Sequence, residues 1–292
     1  MVYDVNGDVV GSLYDVGGDE INTAYDVGGD VVYNGSAPQR DYDNYTISSM
    51  FSLTGNKMQS FAVYGGKIAQ VRETYALYII DIATQTKTKE VTMDMGHGNS
   101  CQFSDEFYDQ EDEFPLFYVR NSGVWSYRIT GTTSTLIKKY AFSSNIIGTY
   151  VAGFGIDCEN RKFYTASYTT GDYETKTGEM RICVWDMDDL TDNGDDTYSM
   201  ALLDTNDFSW FDNYEAIQGC CFHDGYFFIS TGLPGTSQYV VLVSPSTLTI
   251  DHVVSLATTT ETEGCAWVND DYMIVGQNPS AIVYSKVEFA TV

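Results

Sequence analysis

The sequence predicts an all-β protein, namely a five-bladed β-propeller that is closed by an N-terminal strand and preceded by an arm of β-hairpin repeats. Three observations predict this fold. Apolar runs are only about four to seven residues long, a degenerate strand-turn-strand motif occurs five times, and a tighter eleven-residue repeat fills the first 35 residues. Motifs that recur every 40–50 residues or so are typical of four-stranded propeller blades.

Each copy of the longer motif consists of a polar residue, a small residue, a short apolar run, a turn and a second apolar run. The copies begin at Gln59, Asn99, Ala152, Gln218 and Glu263. Their third positions, spaced by 40, 53, 66 and 45 residues, are Phe61, Cys101, Phe154, Cys220 and Cys265. Insertions account for the two longer spacings, although the stretch 155–218 also has room for an irregular extra blade. We expect this column of third positions to line the central channel.

Residues 1–35 form the predicted arm. Tyr3, Tyr14 and Tyr25 lie eleven residues apart, and each opens a unit of the type Tyr-Asp-Val-(Asn/Gly)-Gly-Asp. The Asn-Gly and Gly-Gly dipeptides accept positive φ, so each unit is interpreted as a small hairpin. Isolated hairpins are marginal in water, and we therefore expect the arm to become ordered on copies of itself, on the propeller or on a partner. It is predicted to serve attachment or oligomerisation.

The stretch 36–44 is predicted to be a linker, and 45–292 the propeller. The last motif copy is followed by strands ending near Val287 and lacks an outer strand, whereas the strand Tyr45–Leu53 lacks a blade. We expect this strand to complete the fifth blade and protect its edge. Such a closure places the arm at one rim and leaves free the face at the N-terminal ends of the innermost strands.

Composition excludes several function classes. The 292 residues are 43% hydrophobic, which belongs to a globular protein, and no apolar run approaches the roughly 18 residues of a membrane-spanning helix. A net charge of −26 argues against nucleic-acid binding and membrane insertion. Residues 1–30 show no secretory signal. The six cysteines include no CxxC pair and are expected to be free thiols.

Calcium is the one cofactor that the sequence leaves open; otherwise none is expected. The Asp-x-Asn-Gly-Asp pattern of the arm resembles part of a calcium loop, but its glycine falls too early and no bidentate glutamate follows. The acidic insert Asp105–Glu113 is a second candidate. A turn and a solvated loop are the alternative interpretations.

Ligand binding is expected where loops gather on the free face. The longest predicted loop, Asn206–Glu215, carries four aromatic residues among acids and amides. This combination suits a sugar, because rings stack on its C–H faces while carboxylates accept hydrogen bonds from its hydroxyl groups. The alternative is that Trp210 covers the apolar top of a blade. The candidate ligand-binding residues are Gln59, His97, Asn99, Tyr173, Trp210, Asp212, Tyr214, Glu215, Gln218, Glu261 and Glu263.

Enzymatic activity is the less favoured interpretation. The chain lacks GxSxG, HExxH, a P-loop and a dinucleotide fingerprint, and its three histidines belong to different elements. A pair drawn from Glu215, Glu261 and Glu263 could in principle act on glycosides. No catalytic residue is assigned.

The YDVNGD-type units resemble YD-repeat hairpins, and an array of them leading into another domain resembles the N-terminal parts of tail and appendage proteins from phages of gut bacteria. The segments HGN and DEFPLFYV are similar to uncharacterised propellers associated with these bacteria and phages. The resemblance implies a virion or extracellular structural protein, a homo-oligomer attached to other subunits through residues 1–35 and recognising a bacterial surface glycan. The alternatives are a polysaccharide-acting glycosidase or lyase, and a filament subunit whose arm exchanges strands.

Overall fold

The structure is a computed structural model that describes residues 13–14, 20–21, 23–25, 31–34, 40–53, 57–73, 75–171, 174, 179–278 and 281–291. This described part consists of β-strands joined by turns, with one short helix, α1 (Ser144–Ile147). None of its helices is long and apolar enough to cross a membrane. The chain divides into two compact units, Met1–Asn44 with Phe289–Val292, and Tyr45–Glu288.

Two short strand pairs lie within the predicted arm. Strand β1 (Leu13–Tyr14) pairs antiparallel with β2 (Glu20–Ile21), and β3 (Thr23–Tyr25) pairs with β4 (Val31–Asn34). These pairs bracket the turns of the second and third repeats. The first repeat, the glycine turns and the aspartates of the calcium-like pattern lie outside the described residues. The predicted linker is shorter than expected, because strand β5 already begins at Arg40 and runs to Leu53.

The remaining strands form five antiparallel groups of four, numbered here along the chain. Group 1 contains β6 (Met58–Tyr64), β7 (Lys67–Arg72), β8 (Ala76–Asp81) and β9 (Thr86–Thr92). Group 2 contains β10 (Cys101–Phe103), β11 (Phe117–Arg120), β12 (Val124–Thr130) and β13 (Thr133–Tyr140). Group 3 contains β14 (Tyr150–Asp157), β15 (Lys162–Tyr168), β16 (Glu179–Asp192) and β17 (Tyr198–Ser209). Group 4 contains β18 (Ile217–His223), β19 (Tyr226–Thr231), β20 (Tyr239–Val243) and β21 (Ile250–Ser255).

Group 5 contains strands from both ends of the chain. Its first three strands are β22 (Thr262–Val268), β23 (Tyr272–Gln277) and β24 (Ile282–Thr291), and its outer strand is β5. Tyr45 of β5 also reaches group 4, where its hydroxyl accepts a hydrogen bond from the Ser255 amide at 2.9 Å. Parallel bridges between single residues, Thr133 to Thr92 and Tyr140 to Tyr198, join the outer strands of groups 1 to 3.

Burial decreases from the first strand of each group to the last. All seven residues of β22 are buried, whereas β9 exposes five of its seven. The sequence follows this gradient, because a strand covered on both faces is apolar throughout, and an outer strand such as TKTKEVT carries charge. In groups 1 and 4 the turn between the first and second strands is tight. Gly65-Gly66 and Asp224-Gly225 have positive φ at both positions, as a type I′ hairpin requires.

The five first strands surround a common axis. Each contacts the first strand of the next group, and β22 contacts β6, so the series of contacts returns to its start. Near the middle of the axis the backbones approach closely. A Cβ atom at Gly219 would lie 2.9 Å from the Cα of Gly264 and 3.3 Å from the carbonyl oxygen of Asn99. Only glycine fits there, and the axis is closed at this level.

The column of third positions does not line an open channel. Phe154 stacks on Phe163, with ring centroids 5.1 Å apart, and Phe61 packs edge-on against Tyr284 at 5.4 Å. The faces of the sheets pack against neighbouring sheets, so these side chains point into the layers between groups. The adjacent Cys220 and Cys221 point to opposite faces of their strand, as successive strand residues do. Cys220 packs on Gly153 of group 3, and the Sγ of Cys221 lies 3.8 Å from the Sγ of Cys265 in group 5.

The long spacing before Cys220 is filled by a long hairpin. Strand β16 has 14 residues and β17 has 12. The apolar runs of the sequence predict shorter strands here, at Arg181–Met187 and Tyr198–Leu203. In the described part of 155–218 these longer strands account for many of the extra residues, and no further group of four strands is found there. The loop predicted from Asn206 is correspondingly shorter, because its first four residues belong to β17.

Candidate functional site

A cavity of about 440 Å³ opens at the N-terminal ends of the first strands, and we call it the axial cavity. Its volume falls in the range of roughly 300–1,000 Å³ that small-molecule sites occupy. Its walls carry acids, amides and bases together. The lining residues are Lys57, Gln59, Glu73, His97, Asn99, Arg120, Tyr150, Ala152, Glu174, Ala216, Ile217, Gln218, Leu233, Glu261 and Glu263.

The first residues of all five motif copies line this cavity. They form what we call the floor ring: Gln59, Asn99, Ala152, Gln218 and Glu263. A repeated sequence position therefore becomes a ring of side chains around the axis, polar in four of its five members. One atom of the floor ring lacks a hydrogen-bond partner: the buried Oδ1 of Asn99 accepts no hydrogen bond from the described residues. A ligand or a solvent molecule in the cavity is what remains to satisfy it.

β-Bulges set the floor ring apart from the regular strands. The register shifts between Met58 and Ser60, Val151 and Gly153, Ile217 and Gly219, and Thr262 and Gly264. The extra residue at each shift is a floor-ring member. A bulge leaves one residue without a ladder partner and can re-aim its side chain. Four of the five floor-ring residues are thus placed by an interruption of the ladder; Asn99 instead precedes β10 in a segment without regular structure.

The acidic side of the cavity contains a buried carboxyl. Glu263 is only 5% exposed, and its Oε1 accepts a hydrogen bond from Asn278 Nδ2 at 2.7 Å. The same amide group holds the start of β6, since Asn278 Nδ2 donates to the Met58 carbonyl oxygen and Oδ1 accepts from the Met58 amide. Burial, and next the negative charge of Glu261, raise the pKa of Glu263 to about 9. Glu263 is therefore protonated at neutral pH and can donate a hydrogen bond.

Glu261 lies beside it at the rim and is less buried. Its Oε1 accepts a hydrogen bond from Gln218 Nε2 at 3.1 Å, and the same Nε2 also donates to the Gly232 carbonyl oxygen. Burial raises the pKa of Glu261, while Lys57 and the bond from Gln218 act in the opposite direction. The cavity thus holds two neighbouring carboxyls in unequal surroundings.

Groups 2 and 3 supply a basic wall. Arg120 ends β11, and its Nε donates to the Val151 carbonyl oxygen at 2.8 Å while its Cζ lies 5.2 Å from the centre of the Tyr150 ring. Burial lowers the pKa of Arg120, although a guanidinium remains charged at neutral pH. His97 lies at the rim. Partial desolvation and the charge of Arg120 lower its pKa, so its imidazole is neutral at pH 7.

Six of the eleven predicted ligand-binding residues line the axial cavity: Gln59, His97, Asn99, Gln218, Glu261 and Glu263. Trp210 does not. It is fully buried, its Nε1 donates to the Glu215 carbonyl oxygen at 2.6 Å, and its ring lies 4.7 Å from that of Tyr214. Because β17 runs to Ser209, Trp210 turns inward directly after the strand, where it belongs to the core and cannot contact a ligand.

The rest of that loop is also separate from the cavity lining. Asp212 accepts a hydrogen bond from Ser209 Oγ at 2.6 Å, and the Glu215 carbonyl oxygen accepts a second bond from Thr231 Oγ1. Tyr173 lies outside the described residues. Sequence reasoning missed Arg120 and Tyr150 altogether. Arg120 follows the apolar run FPLFYV, and its position at the end of a second strand is the one signal that could have drawn attention to it.

Carboxylates of the acidic insert pair with arginines. Asp112 lies 2.7 Å from Arg128, and Glu106 lies 2.7 Å from Arg161. The described residues contain no cluster of three or more histidine, cysteine, aspartate or glutamate side chains that could hold a metal ion.

A second cavity, of about 280 Å³, lies at the other ends of the first strands, and we call it the opposite cavity. Its lining includes the aromatic residues Tyr64, Phe103, Phe222 and Trp267. His223 stacks on Trp267 with ring centroids 4.3 Å apart, and its Nε2 lies 3.2 Å from Asp270. The close backbone contacts at Gly219 separate this cavity from the axial one.

Comparisons with known proteins bear on the fold. No protein-family model matches the chain, and no curated protein matches it significantly. The structure resembles glutaminyl cyclase from Myxococcus xanthus with a TM-score of 0.53 at 10% identity, over 84% of this chain and 97% of that one. It also resembles the PQQ-bound aldose sugar dehydrogenase from Streptomyces coelicolor with a TM-score of 0.50 at 9% identity, over 86% and 100% of the two chains. At these identities the likeness concerns the fold, which is all-β and propeller-like.

Proposed function

We propose that the chain is a five-bladed β-propeller, closed by β5, that binds a saccharide in its axial cavity. The observation that carries this proposal is the floor ring, in which four repeats each direct an amide or a carboxyl toward one point. Amides both donate and accept hydrogen bonds, a neutral carboxyl does the same, and sugar hydroxyls require both. Tyr150 in the wall offers an aromatic ring beside these groups.

The blade count and the closure are part of the proposal. Five strand groups with their first strands in a closed series of contacts support the count, and the position of β5 beside β24 supports the closure. Closure by a strand from the other end of the chain protects the last sheet edge. A variant that lacks Arg40–Leu53 should then lose cooperative unfolding of the whole β unit, which calorimetry would detect.

Attachment of this module to a phage tail or a similar extracellular assembly is a further part of the proposal. It draws on the YD-type repeats of residues 1–35, and the comparisons with solved structures do not add to it. The measurement is light scattering of the full-length chain beside a variant that begins at Ser36. A defined oligomer that becomes a monomer on removal of the repeats supports an assembly role; a monomer in both cases removes self-assembly through the arm.

Saccharide binding is tested by calorimetric or saturation-transfer titration of a panel of monosaccharides and bacterial oligosaccharides. Gln218→Ala removes a floor-ring amide and should weaken binding at least tenfold. Glu159→Gln changes an exposed acid away from the cavity and serves as the control. Unchanged affinity in Gln218→Ala, with folding intact, would remove the axial cavity from the function.

A polysaccharide-acting enzyme is the second candidate. The observation that favours it is the pair Glu261 and Glu263, two neighbouring carboxyls in one cavity, of which Glu263 is the more buried and has its pKa raised to about 9. Glycoside hydrolysis uses two carboxyl groups in unequal surroundings, one of them an acid with a raised pKa. Release of reducing ends from the same oligosaccharides, lost in Glu263→Gln, would establish this activity. Binding without any release leaves the non-enzymatic function.

A further inference from the structure

Arg120 is held firmly at the wall of the axial cavity. Its backbone amide donates to the Ser100 carbonyl oxygen at 2.8 Å, and its Nε donates to the Val151 carbonyl oxygen at the same distance. The neighbouring Tyr150 ring lies beside the guanidinium. Group 2 thereby fixes the backbone of Arg120, and group 3 fixes its guanidinium. The two terminal nitrogens, which carry four of its five N–H donors, have no hydrogen-bond partner among the described residues.

Arg120 lacks an acidic partner among the described residues of an acid-rich chain. The buried Arg72 shares this feature, but it does not line the axial cavity, whereas Arg120 does. The sequence has 41 acidic residues and 15 basic ones. Arg128, Arg161 and Arg181 each pair with a carboxylate, at 2.7, 2.7 and 2.5 Å. Within the described residues no carboxylate lies in ion-pair distance of Arg120. Burial lowers its pKa, and the neighbouring Tyr150 and Tyr168 act in the opposite direction. A partly buried cation without a counter-charge is costly unless a ligand supplies one.

Groups 1 and 5 line another part of the cavity wall with side chains of a different kind. Gln59 belongs to group 1 and Glu263 to group 5, and Glu263 is protonated at neutral pH. These side chains suit uncharged hydroxyls. A ligand that satisfies both walls therefore carries an anionic group at one end and hydroxyls at the other.

We propose that the axial cavity binds an acidic saccharide whose carboxylate pairs with the terminal nitrogens of Arg120. The proposal rests on the saccharide-binding function proposed above and narrows its ligand class. A carboxylate is the anion of choice because its two oxygens match the planar fork of a guanidinium. Neutral sugars satisfy the floor ring and leave Arg120 unpaired.

The experiment compares sugars that differ at one carbon atom. Galacturonate is titrated beside galactose, glucuronate beside glucose, and each uronate beside its uncharged amide, at pH 7 and constant ionic strength. We expect at least one uronate to bind at least tenfold more tightly than its neutral counterpart and its amide. The preference should also decrease as salt is added, because it is electrostatic.

Substitutions test the residue itself. Arg120→Gln should abolish the preference for the acid, and Arg120→Lys should keep only a part of it, since an ammonium cannot form the bidentate pair. Arg161→Gln is the matched control, because Arg161 pairs with Glu106 and Asp188 and does not line the cavity. The readout is the ratio of two affinities in the same variant, so a partial loss of folded protein does not affect it.

The outcomes separate this inference from the proposed function. Equal binding of acidic and neutral sugars by the unmodified protein, or an unchanged preference in Arg120→Gln, overturns the inference and leaves saccharide binding intact. Absence of binding by every sugar, acidic or neutral, overturns both.

Discussion

The two ends of the first strands use the same repeat in different ways. At the N-terminal ends, bulges interrupt four ladders and turn Gln59, Ala152, Gln218 and Glu263 toward the axis. At the other ends the pairing of β6, β18 and β22 with their second strands continues without a shift, and aromatic rings line the cavity there together with small and polar residues. The difference indicates that polar side chains gather at the axis where a ladder is interrupted, whereas aromatic rings join the wall where the ladder is regular.

The largest effect on stability is expected beside the opposite cavity, at the ends of the first strands where the ladders are regular. Trp267 is 8% exposed and packs on His223 and Phe228. Trp267→Ala should lower the free energy of unfolding by about 3–5 kcal/mol, the usual cost of removing a buried aromatic ring. Denaturant titration measures this loss. Ligand affinity at the axial cavity should be unchanged in the fraction that remains folded; a loss of affinity without a loss of stability would contradict the separation of the two ends.

Gly219→Ala tests the backbone contact that lies between the two cavities. The added methyl group would meet the Gly264 Cα at 2.9 Å and the Glu263 carbonyl oxygen at 3.1 Å, so the floor ring must shift. We expect a cost of about 1–3 kcal/mol in stability, as overpacking usually brings, together with weaker ligand binding. Full affinity in this variant would show that the position of the floor ring does not limit binding.

The pH dependence of stability distinguishes the buried carboxyl from ordinary surface acids. The pKa of Glu263 is about 9 in the folded protein, above its ordinary value of 4.5, so the folded state holds this proton more tightly than the unfolded state. The stabilisation is complete below the ordinary value and is lost as the pH rises toward 9. The loss is at most about 1.4 kcal/mol per pH unit within that interval.

Glu263→Gln removes this titration. The free energy of unfolding, measured between pH 6 and 9, should therefore fall less steeply with pH in Glu263→Gln than in the unmodified protein. The control Glu159→Gln should keep the slope of the unmodified protein. Parallel curves for all three proteins would show that Glu263 is ionised at neutral pH.

The sequence predicts the regular parts of this molecule better than its site. Motif copies and turn dipeptides located the first strands and the tight turns, because burial on both faces imposes an apolar run and a positive φ imposes glycine. Six site residues could also be found, since they begin or flank the motif copies. Trp210 was misplaced, because composition does not reveal whether an aromatic residue in a loop turns outward or inward. Arg120 was missed, because its role depends on which acids lie near it in space.

The smallest effect is expected from Gly225→Ala. This variant also replaces a glycine by alanine, but in the turn that follows β18. Gly225 has a φ of +72°, and an added methyl group there would meet no atom within 4 Å. Gly225→Ala should therefore cost only the strain of a left-handed alanine, about 1 kcal/mol, and should leave ligand affinity unchanged. Denaturant titration and the sugar titration together check it. Both variants add one methyl group, but only that of Gly219→Ala meets neighbouring atoms. A loss of affinity in Gly219→Ala but not in Gly225→Ala therefore assigns the binding defect to the floor ring. Equal losses of affinity would assign it to a general loosening of β18, and the contrast between the two ends would no longer hold.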